Sequence, residues 1–364
     1  MLYRCGPHTA QAPAADYGQA PAAAKGDTSY FTVDLHCHLH VLEADAMLEG
    51  IEPGGQPYST EATNALTADI NRRQQVTILS KLTDPAERVA DMDRTGVDVQ
   101  AVAPSPSHYY YAYEAGAARD AIRVVNDRIA EVVGQYPDRF VGLCTVPLQD
   151  VDIAVAELER SVNELGLRGV EISTNVNGVD LTRAGLQTFF QRVEELGVMI
   201  FMHPIGTSFR DRLYDHYFQN TIGHPLESAL AVGHLVFDGY LETYPDLKIL
   251  IAHGGGYIPA YSGRFDHPYY LRDDLKVTIT KPPSEYVKKL YFDTVVFTHH
   301  QLEHLVGTWG ADHVVMGTDY PYDMMEVDPV GFVNGAPGLT EDQKRAVVGG
   351  NAAALLGIEA PART

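Results

Sequence analysis

The chain has 364 residues, of which 45% are hydrophobic and 21% charged. This is the composition of a globular protein with enough apolar material for one large core. Its formal net charge of −21 repels phosphate backbones and anionic lipid surfaces, so neither nucleic acid nor a membrane is an expected partner. No stretch approaches the roughly 18 uncharged apolar residues that a membrane-spanning helix requires.

The cysteines and the N-terminal region bear on the cellular compartment. Cys5, Cys37 and Cys144 are too few for a disulfide framework, and their spacing matches no zinc module. A reducing cytoplasm is the simplest interpretation. Residues 1–29 are rich in Ala, Pro and Gln and lack the continuous apolar segment of a signal peptide. We expect them to form a mobile or draped arm outside a single domain of residues 30–364.

After this arm, short apolar segments alternate with longer helix-like segments. The apolar segments are mostly continuous, as expected for strands buried on both faces. Eight strands are predicted: Phe31–Leu35, Val97–Ala103, Phe140–Val146, Gly169–Ile172, Val198–Met202, Lys248–Ala252, Leu290–Asp293 and His313–Met316.

Helices are predicted between these strands, for example at Asp120–Tyr136, Ile153–Leu165, Arg183–Leu196 and Leu226–Tyr244. Eight strand–helix repeats predict an α/β fold in which a parallel sheet closes into a (β/α)8 barrel. An open doubly wound sheet is the alternative. Residues 41–84 and 204–224 do not fit the alternation, and we interpret them as insertions after the first and fifth strands, on the face where barrel enzymes bind substrates.

The first strand leads into His36 and His38. Side chains two residues apart in a strand share a face, so this spacing suits a metal ion. Taken alone, the pair could equally be surface histidines or hydrogen-bonded core histidines. Three later strands also end in a ligand-type residue, namely His203, His253 and Asp319. Strand ends converge around the axis of a barrel, so these residues are predicted to be neighbours.

These residues belong to a larger pattern. It resembles the amidohydrolase superfamily from Val33 to Leu356, and within it the decarboxylase branch that includes 2-amino-3-carboxymuconate-6-semialdehyde decarboxylase and γ-resorcylate decarboxylase. The matching motifs are Asp34-x-His36-x-His38, His203-Pro204, Ala252-His253-Gly254-Gly255-Gly256 and Gly317-Thr318-Asp319-Tyr320-Pro321.

The resemblance implies roles for individual residues. His36, His38, His203 and Asp319 would bind one divalent metal ion, with an open position for water or substrate. Zinc is the expected ion, with manganese, iron and cobalt as alternatives. His253 would be the general acid/base, assisted by Asp319, although a histidine there could also merely cap the glycine-rich turn.

The resemblance also implies a carboxylate-binding pair of arginines contributed across a dimer interface. Arg264 and Arg272 lie 11 and 19 residues after His253, at the matching positions. Guanidinium groups suit carboxylates, so we expect a small-molecule carboxylate substrate and a homodimer or higher homo-oligomer. Surface salt bridges with Asp266 or Asp273 are the alternative role for these arginines.

The sequence departs from the muconate semialdehyde enzyme in ways that affect substrate choice. Ile205 replaces a Trp, and Arg72 and Arg73 lie off register for a further substrate arginine. The resorcylate-type enzymes commonly carry Glu at the position of His36. These differences leave the predicted metal site intact.

Other polar and aromatic residues follow predicted strands. Glu171 could face the pocket or pair with a cation, His108 and Tyr109-Tyr110-Tyr111 could line an aromatic pocket or simply pack, and Thr298-His299-His300 is expected to cap a surface helix.

Three functions are compatible with these observations. The first is a metal-dependent, non-oxidative decarboxylase acting on an aromatic or muconate-type acid. The second is a metal-dependent hydrolase of an amide, lactone or C–C bond that uses the same site. The third is a catalytically silent barrel that serves as a binding protein. Release of CO2 would identify the decarboxylase, and incorporation of solvent oxygen into the product would identify the hydrolase. The binding protein would contain no stoichiometric metal.

Overall fold

The structure is a computed structural model that describes residues 30–54, 63–207 and 212–359. The predicted N-terminal arm and Cys5 therefore lie outside the described residues. The strands in chain order are β1 (Val33–Leu39), β2 (Val99–Pro104), β3 (Phe140–Gly142), β4 (Gly169–Ile172), β5 (Asn175–Val176), β6 (Val179–Asp180), β7 (Met199–Met202), β8 (Lys248–Ile251), β9 (Tyr291–Asp293) and β10 (Val314–Val315).

Eight of these strands pair in parallel, in two sheets with the orders β1-β2-β3 and β10-β9-β8-β7-β4. Backbone hydrogen bonds join the two sheets at both junctions. Leu35 N donates to Met316 O at 2.9 Å, and Cys144 N donates to Gly169 O at 2.9 Å. The predicted α/β class with parallel strands is confirmed, and all seven residues of β1 are buried, as expected for a strand covered on both faces.

Helices lie between the strands and supply the outer wall of the core. They are α1 (Leu42–Leu48), α2 (Ala65–Thr83), α3 (Pro85–Thr95), α4 (Ala115–Gln135), α5 (Val151–Asn163), α6 (Gln187–Leu196), α7 (His224–Phe237), α8 (Tyr240–Thr243), α9 (Ile258–Tyr261), α10 (Gly263–Leu271), α11 (Pro283–Val287), α12 (His299–Trp309), α13 (Pro329–Asn334), α14 (Glu341–Arg345) and α15 (Asn351–Leu356). Within the described residues, none of the helices has both the length and the apolar character needed to cross a bilayer.

The structure differs from the predicted elements at β1, in one helix and at a short hairpin. β1 continues past Leu35 to Leu39, so His36 and His38 lie within the strand and are held by its pairing with β2 on one side. The single predicted helix Leu226–Tyr244 is two helices, because Gly239 adopts a left-handed backbone with φ of 78° and ends the first of them. The short β5–β6 hairpin was not predicted.

The segments interpreted as insertions carry structure of their own. Residues 41–84 contain α1 and α2, and residues 204–224 include a π-helical turn at Gln219–Gly223 that leads into α7. The two segments touch, since the Asn64 backbone N–H donates to Tyr214 O at 3.2 Å. Residues 55–62 and 208–211 lie outside the described residues.

A buried carboxylate links β1 to the strands on either side. Asp34 accepts hydrogen bonds from the Gln100 amide at 2.9 Å and from the Thr318 hydroxyl at 2.7 Å. It also accepts from the backbone N–H of Thr318 at 3.1 Å and of His36 at 3.2 Å. Because Asp34 is fully buried, the loss of its oxygens would leave these donors without a partner in the protein interior.

We expect Asp34→Ala to lower the free energy of unfolding by about 2–4 kcal/mol, the cost of several unsatisfied buried donors. Asp34→Asn retains one acceptor oxygen and should cost about half as much. Urea unfolding followed by circular dichroism would measure both losses. Equal losses for the two variants would contradict the role given to the acceptor oxygens.

Candidate metal centre and active site

Four predicted ligand residues lie together at the carboxyl ends of the strands. His36 and His38 come from β1, His203 follows β7, and Asp319 follows β10. One side-chain donor atom from each of the four lies within 4.8 Å of the others, and all four residues are buried. The structure therefore brings together residues separated by up to 283 positions in the sequence, as the convergence of strand ends predicts.

The carboxylate of Asp319 lies at the centre of this cluster. Its Oδ1 is 3.4 Å from Nε2 of His36 and 3.4 Å from Nε2 of His38. The ring centroid of His203 is 5.1 Å from that of His36 and 4.9 Å from that of His38. Asp319 has a left-handed backbone with φ of 63°, fixed by its backbone N–H donating to His36 O at 2.8 Å.

Hydrogen bonds on the far side of each ring orient the β1 histidines. Nδ1 of His36 donates to Asp293 Oδ2 at 2.7 Å, and Nδ1 of His38 donates to Pro104 O at 3.1 Å. In a neutral ring this places the proton on Nδ1 and leaves the Nε2 lone pair directed at the cluster, the arrangement typical of metal-bound histidines. Arg88, which is buried, donates to His38 O and holds the strand in place.

The donor atoms of the cluster fit a divalent cation. Nε2 of His36, Nε2 of His38 and both ring nitrogens of His203 are buried and have no hydrogen-bond partner among the described residues. Three imidazoles and one carboxylate are a suitable ligand set for zinc or manganese. Buried polar atoms of this kind are rare unless an ion or water satisfies them.

The protonation of the cluster follows from burial and charge. Burial lowers the pKa of His38, and burial followed by the charge of His253 lowers the pKa of His203 well below its usual range. Burial alone would lower the pKa of His36, but the Asp319 and Asp293 carboxylates raise it to about 10. The two carboxylates therefore favour a positive charge at the centre of the site.

His253, the predicted acid/base residue, lies beside the cluster. Its Nε2 is 3.7 Å from Asp319 Oδ2, and its ring centroid is 4.8 Å from that of His203. Its backbone is left-handed, with φ of 57°, and its N–H donates to Asp293 Oδ2 at 2.9 Å. Its side chain retains 15% exposure, which leaves it accessible to a substrate.

The glycines after His253 admit neighbouring protein segments close to the backbone. A Cβ atom at Gly256 would collide with the carbonyl oxygen of Pro225, at the start of α7. Gly256 also has a φ of 62°. This close contact brings α7 next to the His253 turn.

Two functional candidates were missed in the sequence. Asp293 ends β9 and binds both His36 and the His253 backbone, and its position at a strand end could have revealed it. His224 begins α7, and its ring stacks on that of His253, with a centroid distance of 6.0 Å and an interplanar angle of 21°. Burial, followed by the charge of His253, lowers the pKa of His224 to about 3. No strand end or motif marked His224.

Glu171 is fully buried near the cluster and is bonded to a tyrosine rather than to a cation. Its Oε1 accepts from Tyr109 OH at 2.8 Å and lies 3.9 Å from Nδ1 of His38. Its Oε2 has no hydrogen-bond partner among the described residues. Burial raises the pKa of Glu171 to about 8. Tyr109 stacks on Tyr111 at 5.5 Å, so these rings pack against each other beside the site.

A second group, His40, Asp45 and His108, lies just beyond the end of β1 and is linked by hydrogen bonds. Asp45 accepts from His40 Nε2 at 2.7 Å and from Tyr110 OH at 2.6 Å, while the Val41 N–H donates to His108 Nε2 at 3.3 Å. These bonds engage one nitrogen of each ring, and His108 Nδ1 is buried without a partner among the described residues.

The predicted substrate arginines are exposed in the single chain. Arg272 forms a bidentate ion pair with Asp274, at 3.0 and 2.7 Å, rather than with Asp273. Arg264 forms no ion pair among the described residues, and Asp266 instead accepts from Ser284 at 2.9 Å.

At the remaining candidate, Thr298 caps α12 by accepting from Gln301 N at 3.3 Å, which confirms the predicted helix cap.

Comparison with known proteins identifies the family. The amidohydrolase family model matches residues 33–358. The chain is 35% identical over 277 residues to 2-amino-3-carboxymuconate-6-semialdehyde decarboxylase of Dictyostelium discoideum, with 76% of this chain and 77% of that protein covered.

Two solved structures are similar in fold and sequence. The 5-carboxyvanillate decarboxylase of Sphingomonas paucimobilis superposes with a TM-score of 0.80 at 26% identity, covering 91% of this chain and 100% of that one. A dihydroxybenzoic acid decarboxylase of Polaromonas sp., solved with manganese and the inhibitor 2-nitroresorcinol, gives 0.77 at 25% identity, covering 90% and 97%.

These matches confirm both the predicted resemblance and the predicted class of enzyme, a metal-dependent carboxy-lyase. The chain belongs to the amidohydrolase family, in its decarboxylase branch.

Proposed function

We propose that this enzyme removes CO2, without oxidation, from an aromatic or muconate-type acid at a single divalent metal ion held by His36, His38, His203 and Asp319. The observation that carries this proposal is the convergence of four buried ligand side chains, three with unpartnered nitrogens, beside His253. Zinc is the expected ion from the ligand types, and manganese is the alternative because it occupies the similar Polaromonas enzyme.

We also propose that the eight parallel strands close into a (β/α)8 barrel around this site. The hydrogen bonds from Leu35 to Met316 and from Cys144 to Gly169 support closure, because they link the edges of the two sheets. Closure would place β1 and β10 side by side, as the contact between His36 and Asp319 requires. The described parts of segments 41–84 and 204–224 would then lie at the substrate entrance.

The roles of the protein groups follow from their positions. A divalent ion bound there would act as a Lewis acid for the substrate's carboxylate and an adjacent oxygen. His253 would deliver a proton from Nε2 to the carbon that loses CO2, so that the electrons of the broken C–C bond form the new C–H bond. Asp319, 3.7 Å from that nitrogen, would hold the imidazole in place. Solvent would then reprotonate His253.

Arg264 and Arg272 would bind the substrate carboxylate in the site of a partner subunit. Both are exposed in the single chain. Within the described residues, Asp319 forms ion pairs with three histidines and with neither of these arginines. The exposed rings of Tyr261 and Tyr270 near these arginines are consistent with an interface at α10.

Hydrolysis at the same site is the second candidate function. His253 could remove a proton from a metal-activated water instead of protonating a carbon. The two reactions differ in their products, since hydrolysis adds solvent oxygen and decarboxylation adds solvent hydrogen.

The first test is a substrate screen with 2,6-dihydroxybenzoate, 5-carboxyvanillate and 2-amino-3-carboxymuconate-6-semialdehyde. We expect CO2 release, one solvent deuterium in the product made in heavy water, and about one divalent ion per chain by elemental analysis. Chelation should abolish turnover, and zinc or manganese should restore it. Solvent ¹⁸O in the product would favour hydrolysis, and full activity of metal-free protein would refute both.

His253→Asn should reduce kcat by about 10²–10⁴-fold while metal content stays at the wild-type level, because the proton donor is lost but the ligands remain. His203→Ala should instead lose the metal together with activity. His300→Asn, on the exposed surface of α12, is the matched control. Loss of metal in His253→Asn would assign His253 to the ligand set.

Mixing two inactive variants would test the role of the arginines. His253→Asn subunits keep both arginines, whereas the double variant Arg264→Gln, Arg272→Gln keeps His253. If the arginines act in the partner's site, a mixed dimer has one complete site, and equal mixing should recover about one quarter of wild-type activity. No recovery from a mixture shown by native mass spectrometry to contain mixed dimers would contradict this role.

A further inference from the structure

His224 lies at the active site but has no role in the mechanism above. It is the first residue of α7 and is half-buried. Its ring centroid is 6.0 Å from that of His253 and 6.4 Å from that of His203. The side chain of His224 makes no hydrogen bond to any of the described residues, unlike His36 and His38, whose Nδ1 atoms are both engaged.

The fold holds His224 in this place. Pro225, the next residue, packs its carbonyl against Gly256 so closely that a Cβ atom at Gly256 would collide with it. The start of α7 is thereby fixed to the turn that carries His253. An imidazole with no hydrogen-bond partner among the described residues is thus held rigidly beside His253 rather than on a mobile loop.

Two tyrosines near the site differ from His224, because their hydroxyl groups are engaged. The Tyr322 ring lies 5.5 Å from that of His38, but its hydroxyl group donates to Ser105 Oγ at 3.2 Å. Tyr109 likewise uses its hydroxyl group on Glu171 at 2.8 Å and on His203 O at 3.1 Å. Of these three side chains, only that of His224 carries a polar group that none of the described residues engages.

We propose that His224 is a specificity-determining residue whose imidazole N–H donates a hydrogen bond to an oxygen substituent of the substrate on the His253 side of the metal. The inference rests on the proposed decarboxylase function. The rings of His224 and His253 lie in near-parallel planes. A substrate whose reacting carbon lies next to His253 would therefore have another part of its structure next to His224. A substrate with a hydroxyl or carboxylate group next to His224 would accept a hydrogen bond from its N–H. A substrate without such a group would leave this N–H unpaired and bind more weakly.

The test compares His224→Phe, which keeps an aromatic ring without a donor, with His224→Gln, which keeps a donor. His300→Phe is the control for a histidine-to-phenylalanine change away from the site. Steady-state kinetics would use whichever acid of the screen releases CO2. We expect His224→Phe to reduce kcat/KM by about 10- to 100-fold, mainly through KM, and His224→Gln to lose less than about fivefold. Metal content should be unchanged in both.

A binding measurement separates this proposal from the decarboxylase proposal. The probes are 2-nitroresorcinol, 2,6-dihydroxybenzoate and 5-carboxyvanillate, titrated into manganese-loaded protein and followed by water-proton relaxation. If wild type binds a probe and His224→Phe binds it about tenfold more weakly, the role of His224 stands even when no acid releases CO2. Equal binding or turnover by His224→Phe and wild type overturns it, as do equal losses in the Phe and Gln variants. Failure of wild type to bind any probe or release CO2 overturns both proposals.

Discussion

The site depends on one electrostatic constraint, which is that two buried carboxylates face the same imidazole. Asp319 lies 3.4 Å from Nε2 of His36, and Asp293 lies 2.7 Å from its Nδ1. Removing carboxylates from water is costly unless positive charge or hydrogen bonds compensate. The raised pKa of His36, about 10, shows how strongly this place favours positive charge. A divalent ion would meet the same demand and would also bind the nitrogens that have no partner among the described residues.

The Asp293 carboxylate also couples the proposed metal ligand His36 to the proposed proton donor His253. Asp293 accepts from the ring of His36 and from the backbone N–H of His253, and its other oxygen accepts from Gly254 N at 2.8 Å. The Asp293 carboxylate, at the end of β9, therefore fixes the His36 ring relative to the His253 turn. The hydrogen bonds to Asp293 support the left-handed backbone at His253, a conformation that needs surrounding support. They would also hold a proton donor with the precision that acid catalysis requires.

The sequence predicted the site residues that follow strands better than those placed by tertiary packing. Strand ends converge in a parallel fold, so His36, His38, His203 and Asp319 could be predicted as neighbours without any contact information. Asp293 has the same signature, but a lone Asp after a short strand has many ordinary roles. His224 gave no signal, because its position depends on a close packing between α7 and Gly256 that involves no periodic pattern.

Arg264 and Arg272 show a different limit of sequence reasoning. Their spacing from His253 is a motif property, but both side chains are exposed in the single chain, and Arg272 pairs with its neighbour Asp274 at 2.7 Å. Their role depends on how subunits are arranged, which the spacing of residues along one chain does not reveal. The helix break at Gly239 was missed for a local reason, since the apolar pattern of Leu226–Tyr244 runs through it without interruption.

The charge of the protein bears on how such an enzyme releases its product. A net charge of −21 disfavours binding of an anionic acid, so the attraction must be local to the site. An ion held there and partly neutralised by Asp319 would attract an acid chiefly through the carboxylate that reacts. When that group departs as uncharged CO2, this attraction would be lost. Binding energy would thereby be concentrated on the charge that the reaction removes, and the product would be held less tightly than the substrate.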